Sequence, residues 1–228
     1  MSKKAMDKIW NEIHASRVWG GYPSEHVIRF VARNYYSGKR EETKILDFGC
    51  GGGSHTWFLA REGFDTYAFD GSPYAVDAAQ KKLQIENLHA HFSVQDGIEI
   101  SYEDNYFDAV IDSVCIYANR LEDIKLMYQN VYRVLKKGGK FLTVGFGKSM
   151  TGFGTGKKIE TDTYTDIENG PLHERGVVHF WEKDDLRDVI IKSGFTIEYF
   201  DYINYTDREN DVQLFVVQAK KENDTKIH

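Results

Sequence analysis

The chain has 228 residues, enough for one large domain or a domain with an insertion and too few for two full ones. Apolar residues make up 41% and aromatics 14%, so a core forms without a disulfide or metal staple. With 29 basic against 35 acidic residues the net charge is −6, which excludes a nucleic-acid or acidic-membrane binder that relies on overall attraction.

Met6, Ile9, Trp10 and Ile13 recur at helical spacing and predict an amphipathic N-terminal helix. Gly20-Gly21-Tyr22-Pro23 breaks it, and Ser24 caps a second helix carrying Val27, Phe30, Val31 and Tyr35. From Lys44 short apolar runs alternate with helical ones, the mark of βαβ units and a parallel sheet. Strands are expected at 45–48, 66–69, 91–94, 107–114 and 140–146. The helices between them pass through Trp57–Leu59, start at Ser72-Pro73, and run from Leu121 to Leu135, the last stopped by Gly138-Gly139. Residues 147–178, rich in glycine and threonine and weakly periodic, read as an insertion. A helix over 184–192 and strands over 195–202 and 212–219, joined by a polar 204–211 connection, complete the chain, and the polar Lys220–His228 end is expected to fray.

Asp47-Phe-Gly-Cys-Gly-Gly-Gly53 lies between a strand and a helix, where an open α/β sheet presents ligands. A phosphate-cradling P-loop fails, because Gly147-Lys148-Ser149 has Leu142 where the pattern needs glycine. A dinucleotide fingerprint ends on Ser54 or Thr56 instead of glycine, leaving only its variants open. An acid followed by alternating glycines suits an amino-acid moiety, whose cation the acid attracts and whose anion the loop amides and helix N-terminus favour. Asp70 lies 23 residues after Asp47, near the offset at which an acid ending the second strand meets a ribose diol. As ordinary turn residues, Asp70 and Asp96 would need no such role.

These segments resemble the class I S-adenosylmethionine-dependent methyltransferases, over about Lys44 to Ala219. Ile45–Gly53 matches the family's D-x-G-x-G-x-G loop, Tyr67–Asp70 its ribose-binding strand end, Gln95-Asp96-Gly97 its adenine-contacting segment, Asp108–Ser113 its fourth strand and Val134–Leu142 its helix-to-strand turn. The resemblance implies a Rossmann-like, doubly wound, mostly parallel seven-stranded sheet with the last strand antiparallel. It implies S-adenosyl-L-methionine as cofactor, held by Asp47, Gly49, Cys50, Gly51, Gly53, Asp70, Gly71, Ser72, Asp96, Gly97, Asp112 and Ser113, with Tyr22 closing over it. The chain is then one methyltransferase domain spanning 1–228, with N-terminal helices as a lid (1–40), a cofactor core (44–146), a substrate-side insertion (147–182) and a C-terminal part of the sheet (183–219).

The acceptor has to be read from the remaining segments. Trp10, Trp19 and Tyr22 flank the glycine pair and form an expected lid over the mouth, or else pin the helix to the sheet. After the fourth strand, Asp112-Ser113-Val114-Cys115 departs from the [DN]-P-P-[YF] pattern of base-modifying amino methyltransferases. Tyr117 and Arg120 are expected pocket residues, and Arg17, His173 and Arg175 complete a candidate anion-binding set. His179, in Val178-His-Phe-Trp181, is the candidate general base, with a core histidine as the other reading. No metal-ligand motif stands out.

The expected activity is methyl transfer from S-adenosylmethionine to a small polar metabolite, at oxygen, in surface-polysaccharide or natural-product decoration. An NAD-linked oxidoreductase or epimerase and a non-catalytic cofactor-binding partner subunit are the alternatives. Cys50 and Cys115 lie outside any disulfide framework, the first residues hold no apolar h-region, and no run of about 18 apolar residues occurs. The expected setting is therefore cytoplasmic, away from nucleic acid and membrane, as monomer or homodimer.

Overall fold

The computed structural model describes residues 5–17 and 20–222; Trp19 of the expected lid lies outside them. Helices α1 (Ile9–Ser16) and α2 (Glu25–Tyr35) precede a sheet built from β1 (Lys44–Phe48), β2 (Asp65–Asp70), β3 (His91–Val94), β4 (Phe107–Ser113) and β5 (Leu135–Phe146). Between these strands run α3 (Ser54–Arg61), α4 (Pro73–Gln84) and α5 (Leu121–Val134). The chain continues through β6 (Lys157–Glu160), β7 (Thr163–Thr165), β8 (Val178–His179), α6 (Lys183–Lys192), β9 (Thr196–Asp207) and β10 (Asn210–Lys220).

Seven strands form one sheet in the order β3-β2-β1-β4-β5-β10-β9. β1 to β5 pair in parallel, and β10 alone runs against its neighbours, as expected for the last strand. Side chains alternate between faces. Val27, Phe30 and Val31 of α2 and Phe58 and Leu59 of α3 pack on Ile45, Ile111 and Leu142 from one side. Ile124, Val131, Leu186 and Ile190 of α5 and α6 pack on Leu46, Val110 and Phe215 from the other. The strand order reverses between β1 and β4, so the carboxyl ends of the strands open a crevice there.

Three elements differ from the sequence expectation. Gly138-Gly139 does not stop α5; the helix ends at Val134 and β5 starts at once, with Leu135 opposite Phe107. The glycines form a bend inside that strand, where Gly138 N–H donates to the Lys221 carbonyl and Lys221 N–H to that of Gly139. The insertion carries a small antiparallel sheet, β6-β7-β8, joined to the main body by a bridge between Gly147 and Trp181. The polar 204–211 connection is itself strand, because β9 and β10 continue to a turn at Arg208-Glu209 with Arg208 at φ 56°. Each strand there satisfies the other's backbone without burying side chains, so hydrophobicity carries no trace of it.

Candidate active site

β1 delivers the chain to Gly49, Gly51 and Gly53, whose φ angles of 71°, 50° and 78° place them in the left-handed region that favours glycine. At Gly49 a Cβ would also overlap the Cys115 side chain. The Cys50 amide donates to the Phe69 carbonyl at 2.8 Å, tying the loop to β2. Asp70, at the end of β2, then anchors both sides of the crevice: Gly51 N–H donates to its Oδ2 at 2.9 Å and Ser72 N–H to its Oδ1 at 2.8 Å. Burial raises its pKa, and these amides oppose the rise.

A cavity of about 460 Å³ opens on this edge of the sheet, within the range of small-molecule sites. Among the expected cofactor residues it is bordered by Gly49, Cys50, Gly51, Asp70, Gly71, Asp96, Gly97, Ser113 and Tyr22. Asp96 already has partners: its Oδ2 accepts the amides of Ala5 at 2.8 Å and Met6 at 3.2 Å, and its Oδ1 that of Ile98. The segment leading into α1 therefore lies across the β2–β3 end of the cavity, with Met6 against Gly71.

Asp47, Gly53, Ser72 and Asp112 do not border the cavity; they stand one layer behind it. Asp47 is buried and accepts the Thr56 hydroxyl at 2.6 Å, and burial lifts its carboxyl to about 7. Asp112 accepts the Cys115 and Ile116 amides and the Thr143 hydroxyl at 2.9, 3.1 and 2.6 Å, and burial lifts it to about 6. Three bonds to one carboxylate hold the turn after β4, including Val114 at φ 58°, a strained conformation for a β-branched residue.

The expected acceptor residues separate. Tyr117 and Arg175 border the cavity. Arg120 instead points to Glu160 at 4.0 Å, Arg17 to Glu174 at 3.9 Å, and His173 Nδ1 lies 2.7 Å from the Ile167 carbonyl oxygen. These side chains serve the surface of the insertion and its junction with α1. His179 is buried in β8, bonded through Nδ1 to the Thr163 hydroxyl at 2.7 Å and packed edge-on against Trp181. It has no face on the cavity, so the general-base reading of His179 is replaced by that of a core histidine.

Burial depresses the His179 pKa to about 4, below the unfolded value near 6.5. Its neutral ring therefore supports the fold above pH 6.5, and that support fades as pH falls through 6.5 toward 4, because the unfolded chain takes up the proton first. We expect the stability of the protein relative to His179→Gln to shrink by about 2 kcal/mol between pH 7.5 and 4.5. Urea denaturation of both at the two pH values measures it, and an unchanged difference would refute the assignment. Comparing the two proteins matters because Asp47 and Asp112, with raised carboxyls, gain stability over the same descent.

Sequence reasoning missed a polar chain at the cavity mouth. The Ser24 hydroxyl lies 2.8 Å from His55 Nε2 and 3.3 Å from the Ser113 hydroxyl, which lies 3.1 Å from His26 Nε2. Burial holds both imidazoles down to about 4, so at neutral pH each ring donates through one nitrogen and accepts through the other. The chain joins the starts of α2 and α3 to the end of β4. Its sequence signal was His55, placed immediately after the glycine loop. Also unforeseen were the cavity residues His14, Phe146, Met150, Leu172, Tyr205 and Val212, which come from four separated stretches. Among the described residues no metal-holding cluster of His, Cys, Asp and Glu occurs, and no helix is long and apolar enough to cross a membrane.

Residues 45–139 match the family model of a methyltransferase domain. The chain is 27% identical over 206 residues to a sterol 24-C-methyltransferase of Kluyveromyces lactis, covering 82% of this chain and 50% of that protein. It is 28% identical over 144 residues to a demethylmenaquinone methyltransferase of Leptospira interrogans, covering 61% and 54%. The chain thus spans about half the length of the curated relatives it matches. A crystal structure of an S-adenosylmethionine-dependent methyltransferase from Methanosarcina mazei superposes with a TM-score of 0.72 at 24% identity, covering 84% of this chain and 97% of that one.

Proposed function

We propose that this chain, whose core is a class I S-adenosylmethionine-dependent methyltransferase domain, transfers the methyl group of that cofactor to a small molecule, at oxygen. One observation carries the reading: a single cavity is bordered both by the glycine loop with Asp70 and Asp96 and by the turn after β4 with the insertion.

The residues present fit the cofactor. The left-handed turn at Gly49 and Gly51 brings the loop backbone to the edge of the cavity, and the first-turn amides of α3 have no acceptors within the helix and favour a carboxylate. Asp70 has the chemistry to accept a sugar diol and Asp96 an exocyclic amine. Asp47 and Asp112 act as positioning residues, one bracing α3 beneath the loop and the other fixing the turn that carries Ser113 to Tyr117.

The cofactor supplies a methyl group already activated by its sulfonium charge. The protein's share is then alignment, for which near-attack positioning supplies up to roughly 7–11 kcal/mol. Met6, Trp10 and His14 border the cavity from α1 and its approach, and Pro171 and Leu172 border it from the insertion. The Tyr117 hydroxyl stays protonated, since burial pushes its pKa well above the usual range. It therefore does not serve as the base for an acceptor oxygen. Of the settings expected from sequence, natural-product decoration suits the cavity better than a saccharide, because Phe146, Met150, Leu172 and Val212 offer an acceptor little hydrogen bonding.

S-adenosylhomocysteine at 100 times its Kd should stabilise the protein by about 2.7 kcal/mol, raising Tm by roughly 5–10 °C. Methyl-labelled cofactor should then pass label to a small-molecule fraction. Absence of any thermal shift at saturation would refute the reading, and a shift without transfer to any metabolite would favour a non-catalytic binding subunit.

A further inference from the structure

The sheet order separates the two halves of the cavity. Asp70 ends β2 and Asp96 follows β3 on one flank, while Phe146 ends β5 and Val212 lies near the start of β10 on the other. On that second flank Trp10, Tyr117, Phe146, Met150, Leu172 and Val212 face the cavity and belong to one apolar cluster beneath the small sheet. The rings of Tyr117 and Phe146 meet edge-on with centroids 4.7 Å apart.

Two charged residues border this half. Asp207 sits exposed near the end of β9, where water screens it. Arg175 is half-buried in the wall; burial lowers its pKa, and the Tyr117 hydroxyl, Arg17 and Glu174 lie in its electrostatic neighbourhood. The backbone beside it is closely held: Arg175 N–H donates to the Leu172 carbonyl, and Gly176, at φ 73°, lies so close to Asp7 and Ile9 that a Cβ would meet them at 2.5 and 2.7 Å. The guanidinium is therefore carried on a turn clamped between the insertion and α1. A guanidinium in an apolar wall attracts an anion more strongly than the same group in water and meets a carboxylate at two points.

We propose that the methyl acceptor is an apolar ring compound bearing a carboxylate, with its body among the aromatic and aliphatic side chains of this flank and its carboxylate on Arg175. The proposal rests on the methyltransferase reading and adds to it the acceptor class and a specificity-determining residue.

Calorimetry on the full chain saturated with S-adenosylhomocysteine tests it with three probes of one shape: 2-naphthoate, 2-naphthylmethanol and 2-naphthylmethylammonium. The carboxylate should bind roughly tenfold to hundredfold more tightly than the alcohol, and the ammonium least well. Arg175→Gln should bring the carboxylate and alcohol within about threefold of each other by weakening the former alone, with S-adenosylhomocysteine binding unaltered. Phe146→Ala should weaken both alike, by roughly tenfold. Equal binding of the three probes, no binding of any, or a carboxylate preference that survives Arg175→Gln would overturn the proposal while the methyltransferase reading stands. Failure of S-adenosylhomocysteine itself to bind would overturn both.

Discussion

Asp70→Ala should lower the affinity for S-adenosylhomocysteine by roughly 10²- to 10³-fold, the loss expected when two charge-assisted hydrogen bonds disappear. The carboxylate has a second task that adds to the effect. Its oxygens accept the Gly51 and Ser72 amides, so it also sets the distance between the glycine loop and the start of α4. Asp70→Asn separates the two contributions. Its amide oxygen still accepts one backbone N–H, so the fold should lose less than in the alanine variant, while the sugar diol faces a group that is no longer a two-oxygen acceptor. Calorimetry with S-adenosylhomocysteine and thermal denaturation of both variants make the comparison. An unaltered Kd for Asp70→Ala would remove the basis of the cofactor assignment.

Gly53→Ala should destabilise the fold by about 2–5 kcal/mol. Gly53 caps α3 at φ 78°, and a Cβ there would stand 2.6 Å from the Ala79 Cβ and 2.8 Å from its Cα. The left-handed conformation costs a non-glycine residue about 1–2 kcal/mol, and forcing α4 outward roughly 1–3 kcal/mol more. A chain of this size should lose about 5–15 °C in Tm and much of its cofactor affinity, since the displaced helix carries the loop with it. Gly63 isolates the first contribution: its φ is 84° but nothing lies within 4 Å of a Cβ. Gly63→Ala should therefore cost only the backbone share. Adding Ala79→Gly to Gly53→Ala should recover part of the packing share, giving a coupling of opposite sign to the single losses. Equal stability of the Gly53 and Gly63 variants would show that the close approach of α3 and α4 contributes nothing.

The β1–loop–α3 unit was legible because its signals are local. The alternation of apolar runs, the acid at the strand end and the glycines that must take positive φ all fall within one stretch, 45–59. His179 shows the opposite case. Its neighbours in sequence left a general base and a core histidine both open, and burial against Trp181 and the bond to Thr163, 16 residues earlier, make it part of the core. The anion set divided for a similar reason, as Arg17, Arg120 and His173 lie at the surface of the insertion and its junction with α1 while Arg175 borders the cavity.

What the amino-acid order alone determined, then, is the doubly wound sheet and the glycine loop at its edge, since periodicity and backbone conformation are properties of neighbouring residues. The apolar half of the cavity was decided only by the folded chain. Trp10, Phe146, Leu172 and Val212 meet there because sheet order and the small antiparallel sheet bring distant segments to one edge. Burial and charge on that wall depend on which side chains the packing places opposite one another, a quantity that no local pattern encodes.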